Sequence, residues 1–376
     1  MHLAMVAGEA SGDLLAGLLL TGLKQRWPAL HASGIGGPRM AEQGFEAWWP
    51  HQKLAVRGYV EVLRHYREIS GIRDALAQRL LLEKPAVFIG VDAPDFNLGI
   101  EKRLKTAGIK TVHFVCPSIW AWRGARASKM TASCDHVLCL FPFEPELLRA
   151  HGVAATFVGH PLADAIPLRP PRAESRAALG LAAADEVVAV LPGSRRSEIE
   201  YIAPAFLQAA ALMHRQRPGL RFLLPVSHGL RGLAEPLVAA HAPGLPLQLL
   251  DGQSHTALAA CDVTLIASGT ATLEAALFKV PMVIGYRMNG LSWQLMKRLR
   301  YQPWVGLPNI LSRDFVVPEL IQQDCQPAAL AAATLRWLDD RTAAAALVRR
   351  FDDLHHSLRR DTARCAADAL AQVVQA

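Results

Sequence analysis

The feature that most constrains the fold of this chain is a recurring pattern in its sequence. An apolar run is followed by a short polar loop and then by leucines at helical spacing. In the first half we predict buried strands at residues 3–7, 86–91, 111–115 and 137–140. In the second half we predict them at residues 187–191, 221–225, 247–250, 263–267 and 282–286. Strands that alternate with helices predict parallel sheets with helices on both faces.

A proline-rich segment, residues 159–171, separates the two series of runs. Its prolines favour an extended backbone, so we predict an interdomain linker there. A chain of 376 residues that is 51% hydrophobic can bury two cores of ordinary size. We therefore predict two Rossmann-like α/β domains that face a cleft, over residues 1–165 and 172–345. Alanine-rich helices are predicted from residue 327 to the C-terminus.

Charge and apolar content limit the class of protein. No apolar run reaches the ~20 residues that a membrane-spanning helix needs. The N-terminal run meets Glu9 and Asp13 too early for a signal peptide, so we expect a cytoplasmic protein. The six scattered cysteines fit reduced thiols rather than a zinc module or a disulfide framework. A net charge of +7 indicates an anionic partner, which leaves nucleic acid, an anionic membrane and a phosphorylated substrate open.

Several familiar nucleotide-binding and catalytic motifs do not occur in the sequence. Gly34, Gly36 and Gly37 do not form a dinucleotide-binding fingerprint, because Arg39 stands where the last glycine belongs. Pro38 is also expected to obstruct the helix that should begin there. The P-loop, the nucleophile elbow and the D-x-D pair are missing, and we expect no metal ion and no cofactor.

Two loops of the second half follow predicted strands and carry groups that bind phosphate. The segment SGTATLE, residues 268–274, opens a helix whose N–H groups suit a phosphate, although an ordinary helix cap explains it equally well. The segment LPGSRR, residues 191–196, offers the Arg195 guanidinium to phosphate oxygens. Together the two loops favour a ligand that carries a pyrophosphate.

A carboxylate at the end of a buried strand is the candidate catalytic group. Asp92 follows the apolar run at residues 86–91, where partial burial raises the proton affinity of a general base toward the working pH. We therefore interpret Asp92 as a base. Asp95 is better explained by an Asx turn. His113 and His160 are predicted to be loop or core residues.

Two segments combine tryptophan with basic residues. In PSIWAWR, residues 117–123, Trp120 is predicted to belong to the core. Residues 286–300 form a basic amphipathic pattern around Trp293, which suits either an anionic membrane surface or a surface helix that covers the core.

Seven blocks of the sequence form one ordered pattern, within a match that runs from residue 3 to at least residue 325. They read GEASGD (residues 8–13), GPRM (37–40), GVDAPDFN (90–97), PSIWAWR (117–123), LPGSR (191–195), SGTATLE (268–274) and LPN (307–309). In this order they closely resemble the lipid-A-disaccharide synthase family. The resemblance implies an inverting glycosyltransferase of GT-B architecture, with two Rossmann-like domains.

The resemblance also implies a reaction and its partners. Diacylglucosamine would pass from UDP-diacylglucosamine to diacylglucosamine 1-phosphate (lipid X), with release of UDP, in lipid A and lipopolysaccharide biosynthesis. The enzyme would need no metal ion or cofactor, would bind no nucleic acid, and would act as a peripheral protein on the inner face of the inner membrane. A homodimer is expected, in which residues 346–376 cross back or are exchanged with the partner chain.

Carried over by position, Asp92 is the catalytic base. The residues predicted to bind substrate are Ser11, Asp95, Arg195, Ser268, Gly269, Thr270, Glu274 and Asn309. Those predicted to contact the membrane are Trp293, Lys297, Arg298 and Arg300, with Trp48, Trp49 and Tyr59 as the alternative face. Two other functions stay open, another GT-B sugar-nucleotide enzyme such as an epimerase or a transferase, and a non-enzymatic polyanion-binding protein.

Overall fold

The computed structural model describes residues 1–50, 53–54, 59–120, 126–290, 293–294 and 301–375. The chain forms two compact units, Met1–Ala165 together with Ser357–Ala376, and Ile166–His356. Within the described ranges, no helix is long and apolar enough to cross a bilayer.

The first unit is built on a seven-stranded parallel sheet. Its strands are β1 (His2–Ala7), β2 (His31–Gly36), β3 (Glu46–Pro50), β4 (Val87–Val91), β5 (Thr111–Phe114), β6 (His136–Cys139) and β7 (Ala155–Phe157). Their order across the sheet is β3-β2-β1-β4-β5-β6-β7. The helices are α1 (Ala10–Arg26), α2 (Pro38–Ala41), α3 (Tyr59–Glu83), α4 (Pro94–Thr106), α5 (Arg126–Ser133), α6 (Glu144–Arg149) and α7 (Pro161–Ala165).

The central strands of this sheet are buried because both of their faces are covered by helices. β1 and β4 read HLAMVA and VFIGV, and every residue except His2 is buried. A parallel strand in this position needs such a continuous apolar run. Leu19 and Leu23 of α1 pack against one face of the sheet, while Ile100 and Leu104 of α4 pack against the other.

The second unit is built on a six-stranded parallel sheet. Its strands are β8 (Val187–Leu191), β9 (Arg221–Val226), β10 (Leu247–Asp251), β11 (Val263–Ala267), β12 (Met282–Tyr286) and β13 (Glu319–Ile321). They lie in the order β10-β9-β8-β11-β12-β13. The helices are α8 (Arg172–Ala178), α9 (Arg196–Gln216), α10 (Arg231–His241), α11 (Ser254–Ala260), α12 (Thr270–Leu277), α13 (Leu307–Ser312), α14 (Pro327–Asp339) and α15 (Arg341–Leu358).

The last helix, α16 (Thr362–Gln375), belongs to the first unit. The Asp164 carboxylate accepts a hydrogen bond from the backbone N–H of Thr362 at 2.6 Å. The apolar face of α16 joins the core beside α1. Gly22 of α1 permits the close approach, because a Cβ there would lie 2.1 Å from the Cβ of Ala363. Exchange of this helix with a partner chain stays a prediction.

All nine strands predicted from apolar runs are confirmed, with ends that differ by at most one residue. The prediction missed β2, β3, β7 and β13, which lack a continuous apolar run. β2 reads HASGIG, and its Gly34 has φ +137, with no room for a Cβ because the carbonyl oxygen of Met5 would lie 2.2 Å away. The other three are edge strands, whose partial exposure removes the apolar pattern.

Two expectations about proline are wrong. Pro38 does not obstruct a helix but begins α2, where the N–H that proline lacks would have had no partner in the helix. Pro161 begins α7, so the segment predicted to be an extended linker is partly helical. Because its fixed φ suits the first position of a helix as well as an extended chain, proline alone does not distinguish the two.

Candidate functional site

The sheet of the first unit reverses its strand order between β1 and β4. In open parallel sheets such a reversal leaves a crevice beyond the carboxyl ends of the strands, where ligands bind. The loops after the two strands touch, since a Cβ on Gly8 would lie 3.6 Å from the Cβ of Ala93. Ser11 is exposed in the first turn of α1, and Asp92 follows β4 directly. We call the region bounded by residues 8–11 and 92–95 the first crevice.

Asp92 occupies a strained backbone at the first crevice. Asp92 and Ala93 both have left-handed φ angles, of 50° and 43°, which residues with a side chain rarely adopt. Asn97 of α4 holds this turn, because its Nδ2 donates to the carbonyl oxygen of Asp92 at 2.8 Å and to that of Val91 at 3.3 Å. The Asp92 side chain is half-buried, and Asp95 is exposed in the first turn of α4. The structure therefore places both predicted carboxylates at the first crevice.

Behind this loop lies a buried acid–base pair. Nδ1 of His113 on β5 lies 2.7 Å from Oε1 of Glu101 on α4, and both side chains are 0% exposed. Burial lowers the pKa of His113, but the Glu101 carboxylate raises it by charge and hydrogen bonding, and Asp92 adds to this, so the pKa lies above its ordinary value. The prediction that His113 is a core residue is thus confirmed, and the side chain carries a charged partner.

A second carboxylate of the GEASGD block has a structural role. Asp13 is 2% exposed and accepts hydrogen bonds from the backbone N–H groups of Gly37 at 2.8 Å, Arg39 at 2.9 Å and Met40 at 3.2 Å. These N–H groups belong to the first turn of α2 and the residue before it, where no backbone partner exists. Asp13 therefore ties the GEASGD and GPRM blocks together.

The PSIWAWR block contributes an aromatic cluster after β5. Trp120 donates from Nε1 to Glu144 at 3.0 Å, and its ring packs edge-to-face against Phe141 and Phe143. Burial raises the pKa of Glu144 to about 8, although its carboxylate accepts three N–H groups. Trp120 is therefore half-buried and packs against the core, which agrees with the structural role predicted for it. Residues 121–125 of the block lie outside the described residues.

The sheet of the second unit reverses its order between β8 and β11. Leu191 and Ile266 are partners in the register of these two strands. The loops that follow them contain residues 192–195 and 268–269, so both predicted phosphate segments lie at this reversal. We call the region bounded by these two loops the second crevice.

At the second crevice, Arg195 is held by Glu198 in the first turn of α9. The Glu198 carboxylate accepts hydrogen bonds from the backbone N–H of Ser194 at 2.9 Å and of Arg195 at 3.3 Å, and from the Arg195 guanidinium at 2.9 Å. The backbone N–H groups of Ser194 and Arg195 are thus already used. The guanidinium has five N–H donors and its side chain is 49% exposed, so it can still meet an anion.

The helix on the other side of the second crevice begins without a side-chain cap from the described part of the chain. Gly269 precedes α12 with φ +151, and both Gly269 and Thr270 are exposed. The hydroxyl of Ser268 donates to the carbonyl oxygen of Val305 at 2.9 Å, and that of Thr272 to the carbonyl oxygen of Gly269 at 2.8 Å. The N-terminus of α12 therefore presents backbone N–H groups that suit an anion.

Glu274 lies within α12 and is oriented by a histidine. Its Oε1 lies 3.3 Å from Nε2 of His255 on α11, and the Glu274 side chain is 17% exposed. The His255 ring packs 5.2 Å from the ring of Phe278, which fixes its position. The second carboxylate oxygen of Glu274 can accept a hydrogen bond from a hydroxyl donor.

Asn309 is buried, and its amide is bonded within the protein. Nδ2 donates to the carbonyl oxygen of Val317 at 2.9 Å and to Glu319 at 2.8 Å, while Oδ1 accepts from the N–H of Val317 at 2.9 Å. Glu319 also accepts from the backbone N–H groups of Val305 and Gly306. The structure thus places Asn309 beneath the loop before α13, which it supports from inside.

The residues predicted to contact a membrane are only partly described. Trp293 is half-buried, and Lys297, Arg298 and Arg300 lie outside the described residues. On the alternative face, Trp48 and Trp49 are half-buried in β3, and the Arg79 guanidinium lies 3.7 Å from the centre of the Trp48 ring. The side chain of Tyr59 is outside the described part.

Sequence reasoning missed several polar residues that shape the two crevices. They are Asn97, Glu101, Glu198, His255 and Glu319. For Glu198 a signal was present, because an acidic residue three positions after a helix cap is typical of a capping box. His255 and Glu319 carry no such signal, because their partners are distant in sequence.

The chain is similar in sequence to a known protein family over nearly its whole length. A family model described as lipid-A-disaccharide synthetase matches residues 3–371. The lipid-A-disaccharide synthase of Verminephrobacter eiseniae is 60% identical, over 100% of this chain and 97% of that protein. The enzyme of the same name from Albidiferax ferrireducens is also 60% identical, over 100% of this chain and 98% of that protein.

Solved structures share the fold at low sequence identity. The UDP-GlcNAc 2-epimerase of Neisseria meningitidis, bound to UDP-GlcNAc, has a TM-score of 0.70 and 10% identity, and covers 99% of this chain and 100% of its own. The glycotransferase of kitacinnamycin has a TM-score of 0.66 and 17% identity, with 99% and 98% covered. The predicted α/β fold with two parallel sheets is thus confirmed. Since the family match spans nearly the whole chain, this protein belongs to the lipid-A-disaccharide synthetase family.

Proposed function

We propose that this protein transfers diacylglucosamine from UDP-diacylglucosamine to diacylglucosamine 1-phosphate, with release of UDP. The product is lipid A disaccharide 1-phosphate, formed in lipid A biosynthesis. The observation that carries this proposal is the family match over residues 3–371. The two crevices support it, because the first offers a carboxylate and the second offers a guanidinium and a helix N-terminus.

Transfer with inversion is a single displacement that needs a base for the acceptor hydroxyl. Asp92 has the position for this role, at the end of a buried strand and half-buried itself. It takes the hydroxyl proton while the acceptor oxygen bonds to the anomeric carbon, and the bond from that carbon to the UDP oxygen breaks. Ser11 and Asp95, at the same crevice, are assigned to bind the acceptor.

The second crevice is assigned to the donor. Negative charge develops on the pyrophosphate as UDP departs, and cationic or N–H groups stabilise it. We assign these roles to Arg195 and to the α12 N-terminus at Gly269 and Thr270. Glu274 accepts a hydrogen bond from a ribose hydroxyl, with His255 holding its other oxygen.

We assign Ser268 and Asn309 to hold a loop of the protein and not to contact the ligand. The Ser268 hydroxyl donates to the carbonyl oxygen of Val305, and Asn309 binds Glu319, which holds the N–H of Val305. Both residues thereby fix the loop next to the α12 N-terminus. This differs from the direct contact that the resemblance implied for Asn309.

Both substrates carry acyl chains, so we propose that the protein meets them as a peripheral protein at the inner face of the inner membrane. Residues 291–300 supply a tryptophan and basic residues suited to anionic headgroups. A homodimer is part of the proposal because the sequence resemblance implies it.

The test is turnover by the purified protein with both lipid substrates in detergent. We expect UDP release and a disaccharide 1-phosphate by mass spectrometry, and far slower turnover when UDP-GlcNAc replaces the acylated donor. An epimerase would instead isomerise the sugar nucleotide without an acceptor. A polyanion-binding protein would give neither product and would show no thermal stabilisation by UDP.

A further inference from the structure

A cluster of buried polar side chains lies behind the first crevice. Asn97, Glu101 and His113 are each 0% exposed. Within the described part of the chain, Oδ1 of Asn97, Oε2 of Glu101 and Nε2 of His113 have no hydrogen-bond partner. A buried polar atom without a partner destabilises a fold, and apolar side chains at these positions would avoid that cost. The cluster therefore needs an explanation other than packing.

The fold makes a specific space for this cluster. Asn97 and Glu101 are one turn apart on α4 and face β4 at Gly90. A Cβ on Gly90 would lie 2.1 Å from Oε1 of Glu101 and 2.9 Å from Cβ of Asn97. His113 is the partner of Gly90 in the register between β4 and β5. All three side chains thus lie close to Gly90, which is two residues before Asp92.

Asn97 connects the cluster to the backbone of the candidate base. Its Nδ2 donates at 2.8 Å to the carbonyl oxygen of Asp92, the first of the two residues in the left-handed turn. A turn of two residues with left-handed φ angles persists only where its surroundings hold it. Without this amide, the Asp92 carboxylate would lose a fixed direction.

Glu101 and His113 connect the cluster to the charge of the candidate base. Burial lowers the pKa of His113, but Glu101 on α4, which contacts the ring, and the charge of Asp92 in the loop after β4 both raise it. On the other side, the register partner of His113 on β6 is Val137, which carries no charge. The charge of Asp92 therefore acts on the same ring that Glu101 contacts behind the first crevice.

We propose that Asn97, Glu101 and His113 are positioning residues for Asp92. Asn97 holds the backbone that aims the carboxylate, and the Glu101–His113 pair places an imidazole ring of fixed orientation behind it. The proposal deepens the proposed function and rests on it only for the statement that Asp92 acts as a base.

The first test measures the coupling without any turnover. The His113 ring is titrated by NMR in the full chain, with ¹⁵N-labelled histidine, for the wild type, Asp92→Asn and Asp95→Asn. We expect the His113 midpoint to fall by about 0.5–1 pH unit in Asp92→Asn, because one attracting charge is lost. Asp95→Asn, three residues further on in the first turn of α4, is the matched control and should leave the His113 midpoint unchanged. An equal midpoint in all three proteins overturns the electrostatic part of the proposal.

The second test compares kcat with KM for the donor. We expect His113→Gln and Glu101→Gln to lower kcat with KM for the donor unchanged, because the ring behind Asp92 is no longer held in place. A role in stability alone would lower Tm and the fraction of folded protein, and would leave kcat per folded molecule unchanged. For Asn97→Ala we expect kcat to fall about 10-fold with KM for the donor unchanged, as a misdirected base predicts.

The two tests separate this inference from the proposed function. If Asp92→Asn abolishes transfer but leaves the His113 titration unchanged, Asp92 remains the base and the coupling is refuted. If the titration responds but Asp92→Asn keeps full activity, the coupling stands and the assignment of the base is wrong. The NMR arm uses substitutions outside the core, so it decides the question even where His113→Gln does not fold.

Discussion

The two crevices occupy the same topological position in their sheets but satisfy their polar groups in opposite ways. In the first, an amide, Asn97, donates to a loop carbonyl and leaves the loop's carboxylate for other partners. In the second, carboxylates take the loop N–H groups, with Glu198 holding residues 194–195 and Glu319 holding residues 305–306. The supporting side chains thus differ with the group that each loop exposes. An amide supports the loop that carries a carboxylate, and a carboxylate supports the loop that carries a guanidinium.

The crevices also differ in which residue bears the backbone strain. In the second, glycine takes the unusual conformation, with φ +124 at Gly193 and φ +151 at Gly269, and the candidate phosphate ligand Arg195 lies two residues beyond Gly193. In the first, Asp92 itself has a left-handed φ angle. A strained functional residue depends on its neighbours for its position, which is why the first crevice needs a buried cluster behind it.

The largest effect is expected on kcat, from a substitution at the candidate base. Asp92→Asn should lower kcat by about 10²–10⁴-fold, the usual contribution of a positioned general base. UDP affinity should stay unchanged, because the donor groups lie in the other unit. Turnover and UDP titration on the purified variant measure both. Near wild-type turnover would remove Asp92 from the role of base and make Asp95 the next candidate.

A smaller effect is expected at the second crevice, on the donor alone. Arg195→Ala and Glu274→Ala should each weaken UDP binding by roughly 10- to 100-fold, the value of a hydrogen bond to a charged group. Calorimetric titration with UDP and with an acceptor analogue compares the two ligands. Arg196→Ala is the matched control, since Arg196 is 72% exposed and pairs with Glu200. Equal weakening of both ligands would show that the site is misplaced or the variant unfolded.

A pair of glycine substitutions tests the space behind the first crevice. Gly90→Ala should cost about 1–3 kcal/mol, because the new Cβ meets the Glu101 carboxylate in a closed space. For a unit of this size that cost lowers Tm by roughly 2–10 °C. Gly99→Ala on α4 is the control, since the nearest atom to its Cβ is Nη1 of Arg73 at 4.0 Å, and alanine favours a helix. Equal Tm values for the two variants would mean that the cluster can move aside.

The last expected effect is at the membrane, and it depends on salt. Replacing Lys297, Arg298 and Arg300 by glutamine should weaken co-sedimentation with anionic liposomes at low salt, since each basic residue near the surface contributes about 1 kcal/mol. High salt should weaken wild-type binding in the same way, by screening. UDP affinity should not change. Unchanged sedimentation of the triple variant would direct attention to the face with Trp48, Trp49 and Tyr59.

Most of the fold followed from one local rule. Strands covered on both faces need uninterrupted apolar runs, and each run found in the sequence is a strand in the structure. The rule fails where burial is incomplete or glycine replaces side chains, as at the edge strands β3, β7 and β13 and in the glycine-rich β2. The positions of Asp92 and Arg195 after strands were predictable for the same reason, because strand ends are local features.

The partners of those residues were decided by tertiary structure. Asn309 belongs to a block that the family resemblance assigns to the donor site, yet its amide is bonded to Val317 and Glu319 inside the protein. His113 was predicted to be a loop or core residue, and it is buried, but its pairing with Glu101 depends on the packing of α4 against β4 and β5. The apolar pattern around a residue predicts whether it is buried. Its hydrogen-bond partner can lie far away in the sequence, so only the folded chain identifies that partner. The sequence by itself thus determined the two sheets and the strand ends at which the candidate site residues lie, and only the tertiary structure decided which buried groups support them.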